Sequence, residues 1–181
     1  MRKLVDPKQL SLDFLVHNER NIESSQSSKY VILMRHGHYD GSHLSIYGRA
    51  GIEKAAQEIL SIAKGIEESY IASSHVVRAI ESAEIIAKAL RKEKVERLDE
   101  LYIANDDMTV ADKKKLDTLF EDHNGAGLIV LVTHFEVMRD YPSHFHQEQF
   151  GIPYQKWPEF EKGEGICFDL NAKNYRFINR K

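Results

Sequence analysis

Cysteine is almost absent from this chain of 181 residues: Cys167 stands alone, so no internal disulfide and no cysteine-built zinc site can form, and stability has to come from packing. A lone cysteine also fits a reducing compartment. Proline and glycine are scarce, at 4 and 10 residues, which excludes a collagen-like or Pro/Gly-rich low-complexity chain. Charge of one sign is lacking as well. Lys and Arg number 25 against 28 Asp and Glu, a net charge of -3, so nothing draws the chain toward nucleic acid or an anionic membrane. The longest apolar runs, such as residues 128–132, fall far short of the ~20 residues of a membrane helix. The first residues, basic at Arg2 and Lys3, lack the apolar stretch of a signal peptide, because Asp6, Pro7, Lys8, Gln9 and Asp13 interrupt it. Together these absences lead us to expect a cytoplasmic protein with neither a nucleic-acid nor a membrane partner; they leave the oligomeric state open.

What is present is the balance of a globular protein, 42% hydrophobic and 29% charged, at a length suited to one domain. Residues 1–28 read as an N-terminal arm, with a short amphipathic piece at 10–16 and a polar run after it; residues 29–181 read as the domain. The unbroken apolar runs 30–34 and 128–133 suit strands buried on both faces. Ile52, Ala55, Ala56, Ile59, Leu60 and Ala63 recur at helical spacing behind a capping Ser45. Val76, Ala79, Ile80, Ala83, Ile86, Ala87 and Leu90 do so behind Ser73 and Ser74. Short strands at 70–72 and 95–98, a helix at 112–122 and a hairpin joining 166–170 to 175–178 through Asn171, Ala172, Lys173 and Asn174 complete the pattern. Strands alternating with helices predict an α/β three-layer sandwich, its central sheet mostly parallel and flanked by helices.

In such sheets ligands bind beyond the carboxyl ends of the strands. Arg35-His36-Gly37, Ser73-Ser74-His75-Val76-Val77-Arg78 and Thr133-His134 all fall at such ends, which would gather two arginines and two histidines into one pocket. Arginine offers a planar fork that matches phosphate oxygens, a helix N-terminus adds amide donors, and histidine serves as donor or nucleophile. Gly37 would allow close backbone approach beside His36. Arg78 could instead pair with Glu81 along its helix. His38, His43 and His75 lie near the same strand ends, as substrate-preference residues or as plain loop. His144 and His146 read as loop histidines, without a third ligand to make a metal site. Tyr154, Trp157 and Phe160 read as anchors of the C-terminal segment.

These strings, with Leu44, Ser45 and Gly48 opening the first helix, SSHVVRAIESAE opening the second, LDE at 98–100 and VTH ending a later strand, resemble the histidine phosphatase superfamily, which includes the cofactor-dependent phosphoglycerate mutases. The resemblance runs from Tyr30 onward. It implies His36 as the nucleophile that forms a phosphohistidine, with Arg35, Arg78 and His134 holding the phosphoryl oxygens and Gly37 and His38 beside the substrate. It implies no metal and no cofactor. Glu100 stands where mutase-like members carry the general acid, with Asp99 and Glu136 as the other carboxylates in question; Phe135 after His134 disfavours the branch whose acid follows that histidine. The short stretch from 38 to 43 resembles compact phosphatases, including the bacterial phosphohistidine phosphatases, more than the mutases. The expectation is a phosphatase acting on a phosphorylated small molecule or phosphoprotein; a mutase-like phosphotransferase and a non-catalytic phosphate-binding adaptor are the alternatives.

Overall fold

The apolar runs YVILM and LIVLVT have no polar face to turn to water, so both must be covered on two sides. In the computed structural model, which describes residues 29–105, 107–153 and 156–180, they become β1 (Tyr30–Arg35) and β6 (Leu128–Thr133), neighbouring parallel strands in the middle of a six-stranded sheet. The 1–28 arm, its 10–16 piece and Tyr154 lie outside the described residues. With β4 (Ser69–Ser73), β5 (Glu96–Arg97), β7 (Gly165–Asp169) and β8 (Asn174–Ile178), the sheet order is β5-β4-β6-β1-β7-β8. The first four of these run parallel, and β7 pairs antiparallel both with β1 and, in the expected hairpin, with β8. A separate two-stranded hairpin, β2 (Tyr39–Asp40) with β3 (His43–Leu44), leaves β1 directly and is not foreshadowed in the sequence pattern.

Alternation along the strands sorts the core. Ile32, Met34, Val130 and Val132 face helices α1 (Ile46–Ile62) and α2 (Val77–Ala89), where Ala55, Ala56, Ala79, Ala83 and Ala87 let backbones approach. Val31, Leu33, Ile129 and Leu131 face α3 (Val110–Asp122) and α4 (Phe135–Phe150), where Phe120, Tyr141, Phe145, Trp157 and Phe168 fill a deeper layer. Each fully buried Ile, Leu or Phe adds about 1.5–3 kcal/mol, so both layers are needed to hold the sheet. The three-layer α/β expectation stands, and Trp157 and Phe160 are indeed buried anchors.

Three local expectations change. His144 and His146 are not in a loop but on α4, whose stripe Val137, Met138, Tyr141 and Phe145 is obscured in sequence by the internal Pro142 and by interspersed polar residues. Gly151, at φ 67°, ends that helix in the left-handed conformation that glycine adopts freely. The 112–122 helix begins earlier, at Val110, where Thr109 and Asp112 form a reciprocal capping box. Ser73 and Ser74 do not cap α2: Val76 is its N-cap residue, without a side-chain cap.

Candidate active site

Strand register decides which side chains meet. Arg35 pairs with Thr133 across β1 and β6, so the next residues, His36 and His134, leave the sheet side by side. Both follow the parity of Met34 and Val132, and both are buried, each only 3% exposed. Their rings stand edge-on with centroids 4.9 Å apart. Arg35 and Thr133 take the opposite parity: the Thr133 hydroxyl donates to the Leu101 carbonyl at 2.7 Å, and the Arg35 guanidinium goes toward the α4 side.

Protonation follows from the partners. His36 Nδ1 donates to the Gly37 carbonyl at 2.8 Å, since a carbonyl can only accept; Nε2 therefore carries the lone pair and accepts from Arg78 Nε at 3.0 Å. A guanidinium can only donate, so His134 Nδ1 accepts from Arg78 Nη2 at 3.5 Å, and His134 Nε2 donates to Ser74 Oγ at 2.7 Å. Ser74, read in sequence as a helix cap, is the positioning partner of His134.

Burial lowers the pKa of His36 from 6.5 to about 4; the Gly37 carbonyl opposes the shift, while Arg78, Arg35 and Lys162 add to it. Burial likewise lowers His134 to about 3, with the charges of His36, Arg78, His75 and Arg35 adding to the effect. Both imidazoles are neutral at neutral pH, in a pocket whose fixed charge is cationic.

The supports are short-range. Ser82 Oγ accepts from Gly37 N at 3.1 Å and donates to the Arg78 carbonyl at 2.7 Å, tying the loop after β1 to the first turn of α2. The Gly37 amide is thus occupied, and what the glycine contributes is space: a Cβ there would lie 2.9 Å from the Gly48 carbonyl. At Gly48 a Cβ would lie 1.9 Å from the His38 carbonyl, which also accepts from Ser45 N at 3.0 Å. The first turn of α1 is therefore pressed against the loop that follows His36, with Ser45 capping it at 3.0 Å from Gly48 N. The His38 side chain is exposed.

Arg78 does not pair with Glu81, which is bound instead by Leu44 N, His43 and Arg49. Arg35 is half-buried, its Nη1 donating to the Phe160 carbonyl at 2.7 Å and its guanidinium over the Phe135 ring. Its Nε is buried without a partner among the described residues. Glu100 is exposed and lines a cavity with Leu98, Lys115, Thr118, Leu119 and Asp122, beside α3, whereas its neighbour Asp99 reaches His75 at 3.0 Å. Glu136 sits near Arg35 and Arg139.

Sequence reasoning passed over three rim residues. Tyr39 on β2 stands edge-on to His36 at 5.4 Å between two cations, the Arg78 guanidinium 4.5 Å and the Lys162 Nζ 4.2 Å from its ring centroid. Tyr102 stands edge-on to His134 at 5.1 Å. Lys162 arrives because Gly163 N donates to the carbonyls of Arg35 and His36, a long-range contact without a sequence signature. Tyr39, two residues past Gly37, was the one that position alone could have flagged.

Against solved structures the fold has clear counterparts. The chain superposes on the protein histidine phosphatase SixA complexed with tungstate at a TM-score of 0.57, with 20% identity over 82% of this chain and 93% of that one. The fold is that of the histidine phosphatases. A mycobacterial glucosyl-3-phosphoglycerate phosphatase complexed with VO3 shares this histidine phosphatase fold at a TM-score of 0.58, with 16% identity over 82% of this chain and 97% of that one. A mutant phosphoserine phosphatase from Entamoeba histolytica, in complex with phosphoserine, gives 0.53 and 15% identity over 82% and 94% of the two chains. The sequence matches no family model and no curated protein. No helix among the described residues is long and apolar enough to cross a membrane, and no group of three or more His, Cys, Asp or Glu among them could hold a metal ion.

Proposed function

We propose that this chain is a phosphatase that hydrolyses a phosphomonoester or phosphohistidine through a covalent phosphohistidine on His36. The observation that carries this reading is the neutral, oriented imidazole of His36, whose Nε2 lone pair is directed at Arg78 and flanked by His134. A phosphoryl group offers Arg78 better acceptors than that lone pair. As Arg78 turns to the phosphoryl oxygens, Nε2 is freed to attack phosphorus, and one hard displacement becomes two easier ones. Arg78, Arg35 and His134 then stabilise the charge on the equatorial oxygens, the electrostatic work that dominates phosphoryl transfer. The buried, unpartnered Nε of Arg35 is a donor awaiting an acceptor, as an oxyanion site requires. Arginines and histidines supply this chemistry without a metal. The solved neighbours named above act on phosphohistidine, glucosyl-3-phosphoglycerate and phosphoserine, which supports the phosphatase reading at the level of the reaction.

The test is hydrolysis of an aryl phosphate by wild type and His36→Ala in EDTA, with rapid quench to trap phosphoenzyme. Turnover should fall at least about 10³-fold in the variant, and an acid-labile, base-stable phosphoenzyme should vanish with it. Turnover that survives in His36→Ala would overturn the mechanism.

A further inference from the structure

An alcohol that departs from phosphorus needs a proton, and neither group bonded to His36 can give one: the Gly37 carbonyl is an acceptor, and arginine does not release its protons. Glu100 lies beside α3, and Glu136 lies near Arg35 and Arg139. His75 is different. It occupies the turn between β4 and α2, directly after the Ser74 that holds His134 and one helical turn before Arg78. Its Nδ1 is 3.0 Å from Asp99 Oδ1, its side chain is 51% exposed, and its ring stands edge-on to Tyr102 at 5.2 Å. Tyr102 in turn stands edge-on to His134, so one ring links His75 to His134. Its charge is felt at His134.

Resting on the phosphatase reading above, we infer that His75 is the acid that protonates the leaving oxygen and that Asp99 positions it, which makes phosphomonoesters of alcohols the substrate class. As the bond from His36 Nε2 to phosphorus forms and the bond from phosphorus to the ester oxygen breaks, the imidazolium of His75 passes its Nε2 proton to that oxygen. The neutral ring keeps its Nδ1 proton on the Asp99 carboxylate. In the second half, His75 Nε2 takes a proton from the water attacking phosphorus, and the electron pair of the P–N bond returns to His36. Alcohol and phosphate leave, and His75 is again protonated.

The experiment compares an alkyl phosphate with 4-nitrophenyl phosphate, whose phenol needs little proton assistance, in wild type, His75→Gln, Asp99→Asn and His36→Ala. His75→Gln should slow phosphoenzyme formation from the alkyl ester at least about 10²-fold and leave phosphoenzyme formation from the aryl ester near the wild-type rate, while hydrolysis of the shared phosphoenzyme slows equally for both. Asp99→Asn should show the same leaving-group dependence with a smaller loss. Both side chains are largely solvent-accessible, and unchanged thermal melts of the variants will accompany the rates. Equal losses in phosphoenzyme formation from the two esters, or no loss from either, overturn the assignment of His75 while His36-dependent turnover keeps the phosphatase reading intact. A wild type that forms no phosphoenzyme from either ester, or His36→Ala that remains active, overturns the phosphatase reading and this inference with it.

Discussion

The two faces of the sheet are built differently. On the α1/α2 face, alanines and isoleucines bring helices close to the strands, and the site residues His36, His134 and Arg78 are held by short polar contacts among Ser74, Ser82 and Gly37. On the α3/α4 face, large aromatics interlock and Arg35 is the one proposed phosphoryl ligand whose side chain is anchored there. The proposed chemistry is concentrated where side chains are small and backbone approach is tight; bulk stability is concentrated where side chains are large.

The sharpest way to break that contrast is Arg78→Ala. Turnover should fall about 10²–10³-fold through lost stabilisation of transition-state charge, with the thermal midpoint nearly unmoved. A large drop in stability would mean that the proposed site residues are also structural. Phe145→Ala makes the converse change: it should cost about 3–5 kcal/mol in urea unfolding, with kcat per folded molecule unchanged. The third test is pH. His36 and His134 titrate near 4 and 3 when folded and near 6.5 when unfolded, so between those limits the unfolded chain binds more protons. Stability should therefore decline as pH falls below 6.5 and be flat, for these two groups, above it. Denaturant titrations across this range should show a shallower decline in His134→Asn; an unaltered slope would remove His134 from the account.

The same contrast explains what the sequence made legible. Unbroken apolar strands and the alanine–isoleucine stripes of α1 and α2 encode the α1/α2 face in local periodicity, and the four candidate residues Arg35, His36, Arg78 and His134 are read from their places at or just after strand ends. Strand parity separates two of them: His36 and His134 emerge together, while Arg35 starts on the other side, a consequence of register that no motif states. α4 was not readable, because Pro142 and the run of polar residues around Tyr141 and Phe145 mask a stripe that only tertiary burial reveals. Ser74 was misread for a related reason: a serine before a helix is a cap by local logic, and its real partner is 60 residues away. Lys162 and the Asp99–His75 pair depend on loops meeting in space.

In the mechanism proposed above, the hydrogen bond from Arg78 to His36 makes the resting nucleophile self-masking. A neutral electrophile that enters the pocket finds the reactive lone pair already spoken for and has nothing with which to draw the guanidinium away. An anionic group carries its own key, because the charge that recruits Arg78 is what uncovers His36. Discrimination by charge thus precedes any contact with the leaving group, and the same exchange run backwards re-covers the nitrogen as phosphate departs.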